Sequence, residues 1–594
     1  MIKNKILILS FFIMAINTCL AITTVGDLSD ANCDFDDLQL ALDSGDGEIY
    51  VSRDFIIEGQ FTIPENTRLI GGFDDCNDKT INTADNKTEI IGSETGSTLT
   101  INNGDENSQV FLSNLDIKNA QNGSGLSVSG FIGSVTLNNS IIQDNTGMFG
   151  AGIILIGSSI SQTPQLIITN SIIQNNNAQA QGGGIYCNLS DIIIDSTSLI
   201  ANNQVFGNNA NGSGGGIYSN KCSLNIYAGN SDGESAGIIA NKSTNRGAGI
   251  YATESFLNIN GQQDSFVDPI YGDSSHPVLF KDNVSDSDQN ANGFGAAMYL
   301  RLSQVEIKAA WFDGNKGSEN GTGEFNRGSV FHADFQSTVT MTRDESQPCW
   351  RQGLCNLITN NLNVAIYAQR PGTEVSINDT EFYENTADFT GIIWVRNSCC
   401  LDSGFGPIFN FENNLVHHNN STNSGFLKTD SDITNNCCEI EVNVLNNTIT
   451  DNNFGNGNSV LNINSNVTLN LHNNIIYENM GINVLDSLEQ VNFVETNISC
   501  LLVHEEASIP TMAATIFVAN PFFVDPLTFD YHLLSDSPAI DVCGGNDYIP
   551  MRLDMDQESQ DRDDILVDNI EGIYDLGVDE YYLPDLIFKN SFEI

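Results

Sequence analysis

Gly182-Gly183-Gly184-Ile185-Tyr186 is followed by Gly214-Gly215-Gly216-Ile217-Tyr218 and by Gly247-Ala248-Gly249-Ile250-Tyr251, with Gly150-Ala151-Gly152-Ile153 ahead of all three. Their isoleucines are 32, 32 and 33 residues apart, a period that belongs to solenoids and repeat arrays rather than to one globular core. A second phrase lies between the first. Asn139-Ser140-Ile141-Ile142-Gln143-Asp144-Asn145 returns as Asn170-Ser171-Ile172-Ile173-Gln174-Asn175-Asn176, and later near Asn446 to Asn452 and Asn473 to Asn479. An aromatic takes the apolar slot in Phe280-Lys281-Asp282-Asn283, Phe312-Asp313-Gly314-Asn315 and Phe382-Tyr383-Glu384-Asn385. The constant part is an apolar residue with Asn three positions on. Leu166 to Thr169 and Ile192 to Asp195 show strand character and no helical period, so each repeat reads as strand, turn, strand, turn, strand and loop.

Stacked coils place each apolar residue above its counterpart, so Ile, Leu, Val and Phe fill a narrow interior while every backbone ladder continues into the next coil. Gly and Asn serve the corners. Both tolerate left-handed backbone angles, and stacked Asn side chains are expected to form hydrogen-bonded ladders along the axis. That structural task accounts for the asparagine richness without a catalytic amide.

At 594 residues the chain is too long for one compact core, yet no Pro-rich or Ser-rich linker divides it, which favours a continuous elongated stack. Lys and Arg total 23 against 75 Asp and Glu, a net charge of −52. Such a surface repels nucleic acid and anionic lipid. It also repels polyuronates unless calcium bridges the two. Calcium is the ion that Asp286-Ser287-Asp288 and Asp554-Met555-Asp556 would suit, although neither has a recognised calcium-loop spacing; no other cofactor is expected.

Met1 to Lys5 is basic, Ile6 to Ile16 is apolar and Cys19-Leu20-Ala21 ends on a small residue, which together read as a secretory signal over residues 1–21. Acylation of Cys19 is disfavoured by the Ile16-Asn17-Thr18 that precedes it. No other long apolar stretch could span a bilayer as a helix. Removing the signal leaves an even number of cysteines, as an oxidising compartment favours. Neighbouring coils lie about 4.8 Å apart, within the Cα separation a disulfide accepts. Bridges are therefore expected between Cys187 and Cys222 and between the vicinal pairs Cys399-Cys400 and Cys437-Cys438, together with Cys33–Cys76, Cys349–Cys355 and Cys500–Cys543. His417-His418 lies between the vicinal pairs and would complete a zinc set. Strand alternation argues against it, because adjacent side chains point to opposite faces.

These phrases resemble the repeats of the polymorphic outer membrane protein family and of bacterial right-handed parallel β-helix proteins, over about residues 30–500. Phe35 to Leu42, with Leu38, Ala41 and Leu42 on one helical face, resembles the short amphipathic cap that opens such helices. Asn520 to Pro526, Tyr531-His532-Leu533, Ser535 to Asp541 and Tyr574 to Glu580 resemble the closing region of β-helix proteins classed as choice-of-anchor Q. Asp585 to Ile594 looks like a C-terminal tail of some secreted gammaproteobacterial proteins. The resemblance implies an all-β, single-stranded right-handed parallel β-helix with a short N-terminal capping helix. Its parts are a signal over 1–21, cap and first coils over 22–95, repeats over 96–500, the closing region over 501–582 and the tail over 583–594. The polymorphic family ends in a membrane β-barrel, and the few residues after Tyr582 leave no room for one.

Two functions are compatible with this scaffold. The first is a secreted, extracellular or outer-membrane-associated adhesin or display scaffold, monomeric, holding cell-surface glycans or proteins on the loops 228–246, 261–293 and 343–356. The second is a polysaccharide lyase or glycosidase, which fold alone cannot decide. Polygalacturonases share an adjacent Asp pair, a Gly-His-Gly and an Arg-Ile-Lys; the last two are missing from this sequence. Asp36-Asp37, Asp74-Asp75 and Asp563-Asp564 lie outside the central coils, and no carboxyl pair is singled out. No catalytic or metal residue is nominated. Arg327, His332, Arg343, Trp350 and Arg351, where scarce basic and aromatic residues concentrate, are the ligand-loop candidates, and the favoured reading of the stretch is a disulfide-pinned loop around Cys349 and Cys355 with Trp350 packed beneath it.

Overall fold

The computed structural model describes residues 22–581 apart from 28–31, 78–86, 208–211, 228, 230–235, 262–275, 289–292, 319–326, 346–348, 351–353, 388–389, 398–405, 432–438, 456–458, 464–465, 480–482, 486–494, 505–514, 544–553 and 556–573. The signal reading over 1–21, the tail over 583–594, Arg351 and the vicinal cysteines Cys399, Cys400, Cys437 and Cys438 lie outside the described residues.

One coil runs Leu126–Ser129, Ser134–Asn138, Ile141–Gln143 and Thr146–Phe149. The chain then returns at Ile153–Ile156, which pairs in parallel with Leu126–Ser129 so that Ile153 sits on Leu126 and Leu155 on Val128. Repetition of this path builds, among the described residues, a 30-stranded sheet that takes two strands from most coils and a 14-stranded sheet that takes one. The protein is a single-stranded parallel β-helix. Alternation sends Ile153, Leu155, Leu166, Ile168 and Ile173 into a single apolar column, each fully buried. Six residues, Leu38–Asp43, form a helix whose first turn is held by the Asp37 carboxylate accepting from the Leu40 N–H at 3.0 Å. Its Leu38, Ala41 and Leu42 join the same column, the face the sequence assigned to them.

The two phrases decode differently. In the glycine phrase, Gly182 has φ +65°, and a Cβ on Gly184 would sit 2.6 Å from the Gly216 carbonyl of the next coil. The first glycine supplies a left-handed turn and the third a close approach of backbones. In the apolar-x-x-Asn phrase, the labour is split between neighbours. The residue before the asparagine takes the left-handed conformation, as at Asp144, Asn175, Asp282, Glu384 and His418. The asparagine itself turns inward. From Asn145 through Asn176, Asn203, Asn241, Asn283, Asn315, Asn361, Asn385, Asn419 and Asn452 to Asn479, each side-chain amide donates to the next carboxamide oxygen at 2.8 to 3.2 Å.

Disulfides join Cys33–Cys76, Cys187–Cys222, Cys349–Cys355 and Cys500–Cys543. Cys187–Cys222 ties neighbouring coils, since Ile185–Asn188 pairs with Ile217–Asn220. Two segments read as loops carry strands instead: Gly237–Ile239 within 228–246 and Val278–Lys281 within 261–293. Ile238 and Phe280 enter the apolar column, each three residues ahead of a ladder asparagine, Asn241 and Asn283, so the apolar-x-x-Asn phrase carries the sheet through both segments.

The C-terminal residues fold back along the flank of the stack. Phe523–Asp525 and Asp530–Leu533 form an antiparallel hairpin. Phe523, Tyr531, Ile540, Val542 and Leu576 share a second apolar cluster with Leu415, Ile475 and Leu502 from the coils. The Gly577 N–H donates to the Asn473 carbonyl at 3.0 Å and the Val578 N–H to Thr448 Oγ1 at 3.2 Å. No helix among the described residues is long and apolar enough to cross a membrane.

Candidate functional site: an arginine and aromatic groove

The outer face of the 14-stranded sheet carries a vertical row of rings. Tyr186, Tyr218, Tyr251, Tyr299, His332, Tyr367 and Trp394 occupy one register position on successive strands, and Lys428 continues the row. Strand alternation aims them away from the apolar interior. The tyrosines stack face to face at 4.9 to 5.2 Å from Tyr186 to Tyr299. His332 then lies 4.8 Å from Tyr299 and 4.7 Å from Tyr367, whose ring is 5.0 Å from Trp394.

Over the lower part of this row the face becomes basic. A groove of about 460 Å³ is lined by Arg246, Arg301, Arg327, Arg370 and Arg396, with Asp334 as its carboxylate. Each guanidinium lies on aromatic surface. Arg246 is 5.0 Å above Tyr299, Arg327 is 4.7 Å above Trp394, and Arg301 and Arg370 flank Phe335 at 4.9 and 3.9 Å. Packing against rings holds these cations in place, with Arg301 exposed and the other four partly exposed. Arg327 also donates to Tyr367 Oη at 3.3 Å, and Tyr367 donates to Gln369 at 3.0 Å. Ion pairs on this face join Arg370 to Asp334 at 3.4 Å and Arg396 to Asp430 at 3.8 Å. Tyr299 donates to the same Asp334 oxygen at 3.0 Å.

Burial dominates the titration of the groove floor. It pushes the Asp334 carboxyl up against the opposing pull of Arg370. His332 is held well below its ordinary value by desolvation first and then by Arg246, Arg327 and Arg370. The ring is therefore neutral, and among the described residues neither of its nitrogens has a hydrogen-bond partner. A depressed histidine contributes stability that is complete above its unfolded value of about 6.5 and is lost as pH falls below that value. His332→Phe is expected to keep or raise the unfolding midpoint at neutral pH, because a ring of similar shape replaces orphaned nitrogens. It should also flatten the acid limb of the stability curve. A lower midpoint at neutral pH would contradict this account.

The sequence-nominated residues separate into two places. Arg327 and His332 are in the groove. Arg343 is buried on the flank, 3.8 Å from Asp379 and donating to the Asp554 carbonyl at 3.1 Å. Trp350 stacks on Trp311 at 6.0 Å and donates to the Cys355 carbonyl at 2.8 Å, inside the loop closed by Cys349–Cys355. Arg246, Arg301, Arg370 and Arg396 went unnoticed in the sequence, where they are scattered one to a coil. Their offsets from the glycine phrases differ, Arg246 standing just before Gly247 and Arg301 six residues after Gly295, so no fixed spacing aligns them.

His417 and His418 depart from the alternation argument. Their Nδ1 atoms are 3.1 Å apart, because His418 has φ +53° and turns back toward its neighbour. They meet Glu381, 3.0 Å from His417 Nε2, and Tyr531, which donates to Asp451 at 3.1 Å. Among the described residues, no group of three or more His, Cys, Asp or Glu is arranged to hold a metal ion. The chain matches no protein-family model, and no curated protein matches it.

Proposed function

We propose that the protein is a secreted or surface-associated binding scaffold, a non-enzymatic adhesin whose rigid stack presents the arginine groove to anionic ligands on glycans or surface proteins. The observation that carries this reading is five arginines gathered in one groove of a chain that has 23 basic residues and a net charge of −52. Overall charge would repel an anion, so the groove is a local reversal of sign with donors held ready by the rings beneath them. A glycosidase requires two convergent carboxyls. Among the described residues lining the groove there is one, Asp334, already engaged by Tyr299 and Arg370. Binding to an array of acidic and neutral glycans tests the proposal, with product release from each bound polymer followed in parallel. Retention of acidic members without shortening is expected. Depolymerisation would move the protein to the enzyme class, and no signal on the array or on cells would remove the groove from ligand binding.

A further inference from the structure

Resting on that reading, we infer that the groove takes a linear 1,4-linked polyuronate lying along the helix axis, one sugar to each coil. The strands Ile250–Thr253, Met298–Arg301, Arg327–Asp334, Val364–Gln369 and Ile393–Asn397 are consecutive neighbours in the sheet. Each coil contributes one arginine. Arg246 precedes the first strand, Arg301 ends the second, Arg327 opens the third, Arg370 follows the fourth and Arg396 lies in the fifth. Adjacent coils rise by about 4.8 Å, close to the length of one sugar in an extended polysaccharide. Five coils thus place five guanidiniums over roughly 19 Å.

The two walls sharpen the match. Arg246 and Arg327 belong to one edge, where they bridge in register through Phe294. Arg301 and Arg396 share a register column on the other edge, beside the Phe335 that Arg301 and Arg370 both cover. In chain order the cations alternate between edges for the first four coils. Successive rings of an extended 1,4-linked ribbon turn over, so their carboxylates alternate in the same way. A planar guanidinium with paired donors meets a carboxylate in two parallel hydrogen bonds.

A single-stranded nucleic acid, the competing linear polyanion, needs free ring faces for its bases. The ring faces of this row are taken by one another and by the arginines. Hydroxyls, ring edges and guanidinium donors are what remain, and these suit a sugar.

Titration calorimetry of the full-length secreted protein with 1,4-linked oligouronates from dimer to octamer tests the register. Affinity is expected to climb with each sugar to about the pentamer and then level. It should be unchanged by a chelator, since guanidinium rather than calcium meets the acid, and absent for the neutral oligosaccharide of the same linkage. Arg301→Gln and Arg370→Gln, both at the solvent edge, should each weaken the pentamer about tenfold, the worth of a charge-assisted hydrogen bond. Arg53→Gln, outside the groove, should leave it unaltered. A plateau at the dimer, loss of binding with chelator, or stronger binding of sulfated glycans or single-stranded DNA would overturn the inference while leaving an anion-binding scaffold. Failure of every acidic ligand to bind would overturn the scaffold reading itself.

Discussion

Asn315→Ala is expected to lower the stability of the β-helix by about 3 to 5 kcal/mol, several times the effect of removing an ordinary hydrogen-bonding side chain. Asn315 is fully buried in the middle of the internal ladder. Its carboxamide oxygen accepts from the Asn283 backbone N–H at 3.1 Å and from the Asn283 side chain at 2.9 Å. Its amide donates to the Phe280 carbonyl at 2.9 Å and to Asn361 at 3.1 Å. Alanine removes all four bonds at once and strands polar groups that no water reaches, each at a cost of about 1 to 3 kcal/mol. A partly exposed ladder provides the contrast. Asn443 bonds to Asn410 at 2.7 Å and Asn470 to Asn443 at 2.6 Å on the outer surface, where water replaces what alanine removes. Asn443→Ala should cost less than about 1 kcal/mol. Urea titrations of the two variants decide the matter, and equal losses would mean that the internal ladder is not what holds the corners.

The same ladder shows what was legible in the sequence. Gly182-Gly183-Gly184 and Ile142-x-x-Asn145 announced a stack because backbone conformation and burial act on neighbours within a few residues, the range over which a repeat is visible. The parallel sheets, the inward isoleucines and the ladder follow from that local grammar. Its reach ended where the coil length changes. Insertions between Ile250 and Met298 push the next coil 48 residues along, so Arg246 and Arg301 share a groove that no fixed spacing reveals. Arg343 and Arg327 looked alike in a basic, aromatic stretch. Position on the coil separates them, since one faces the C-terminal flank and the other the ring row. His417 and His418 meet for a related reason: alternation holds only while φ stays extended, and the corner at His418 breaks it.

That C-terminal flank carries the largest pH effect expected of the molecule. Glu580 and Asp575 are buried with Asp541, Asp554 and Asp579, each no more than 5 % exposed. Desolvation, then the charges of Asp575, Asp554 and Asp541, push the Glu580 carboxyl up to about 11. Desolvation raises Asp575 well above the carboxylate range as well, over the opposing bonds from the Asp541 and Tyr581 backbones. A carboxyl whose folded value exceeds its unfolded value of about 4.3 must take up a proton on folding. Its contribution is then fully present below about 4.3 and declines as pH rises toward 11, by about 1.4 kcal/mol per pH unit. Glu580→Gln carries no proton to gain and preserves an acceptor for the Asp575 N–H, which now donates to the Glu580 carboxyl at 3.2 Å. The variant should therefore exceed the parent by more than about 2 kcal/mol at pH 7 and converge with it near pH 4.5. Denaturant midpoints across that interval test the sign directly. Curves that run parallel from acid to neutral would show that Glu580 is ionised in the folded flank, and that a positive charge, not a proton, balances it.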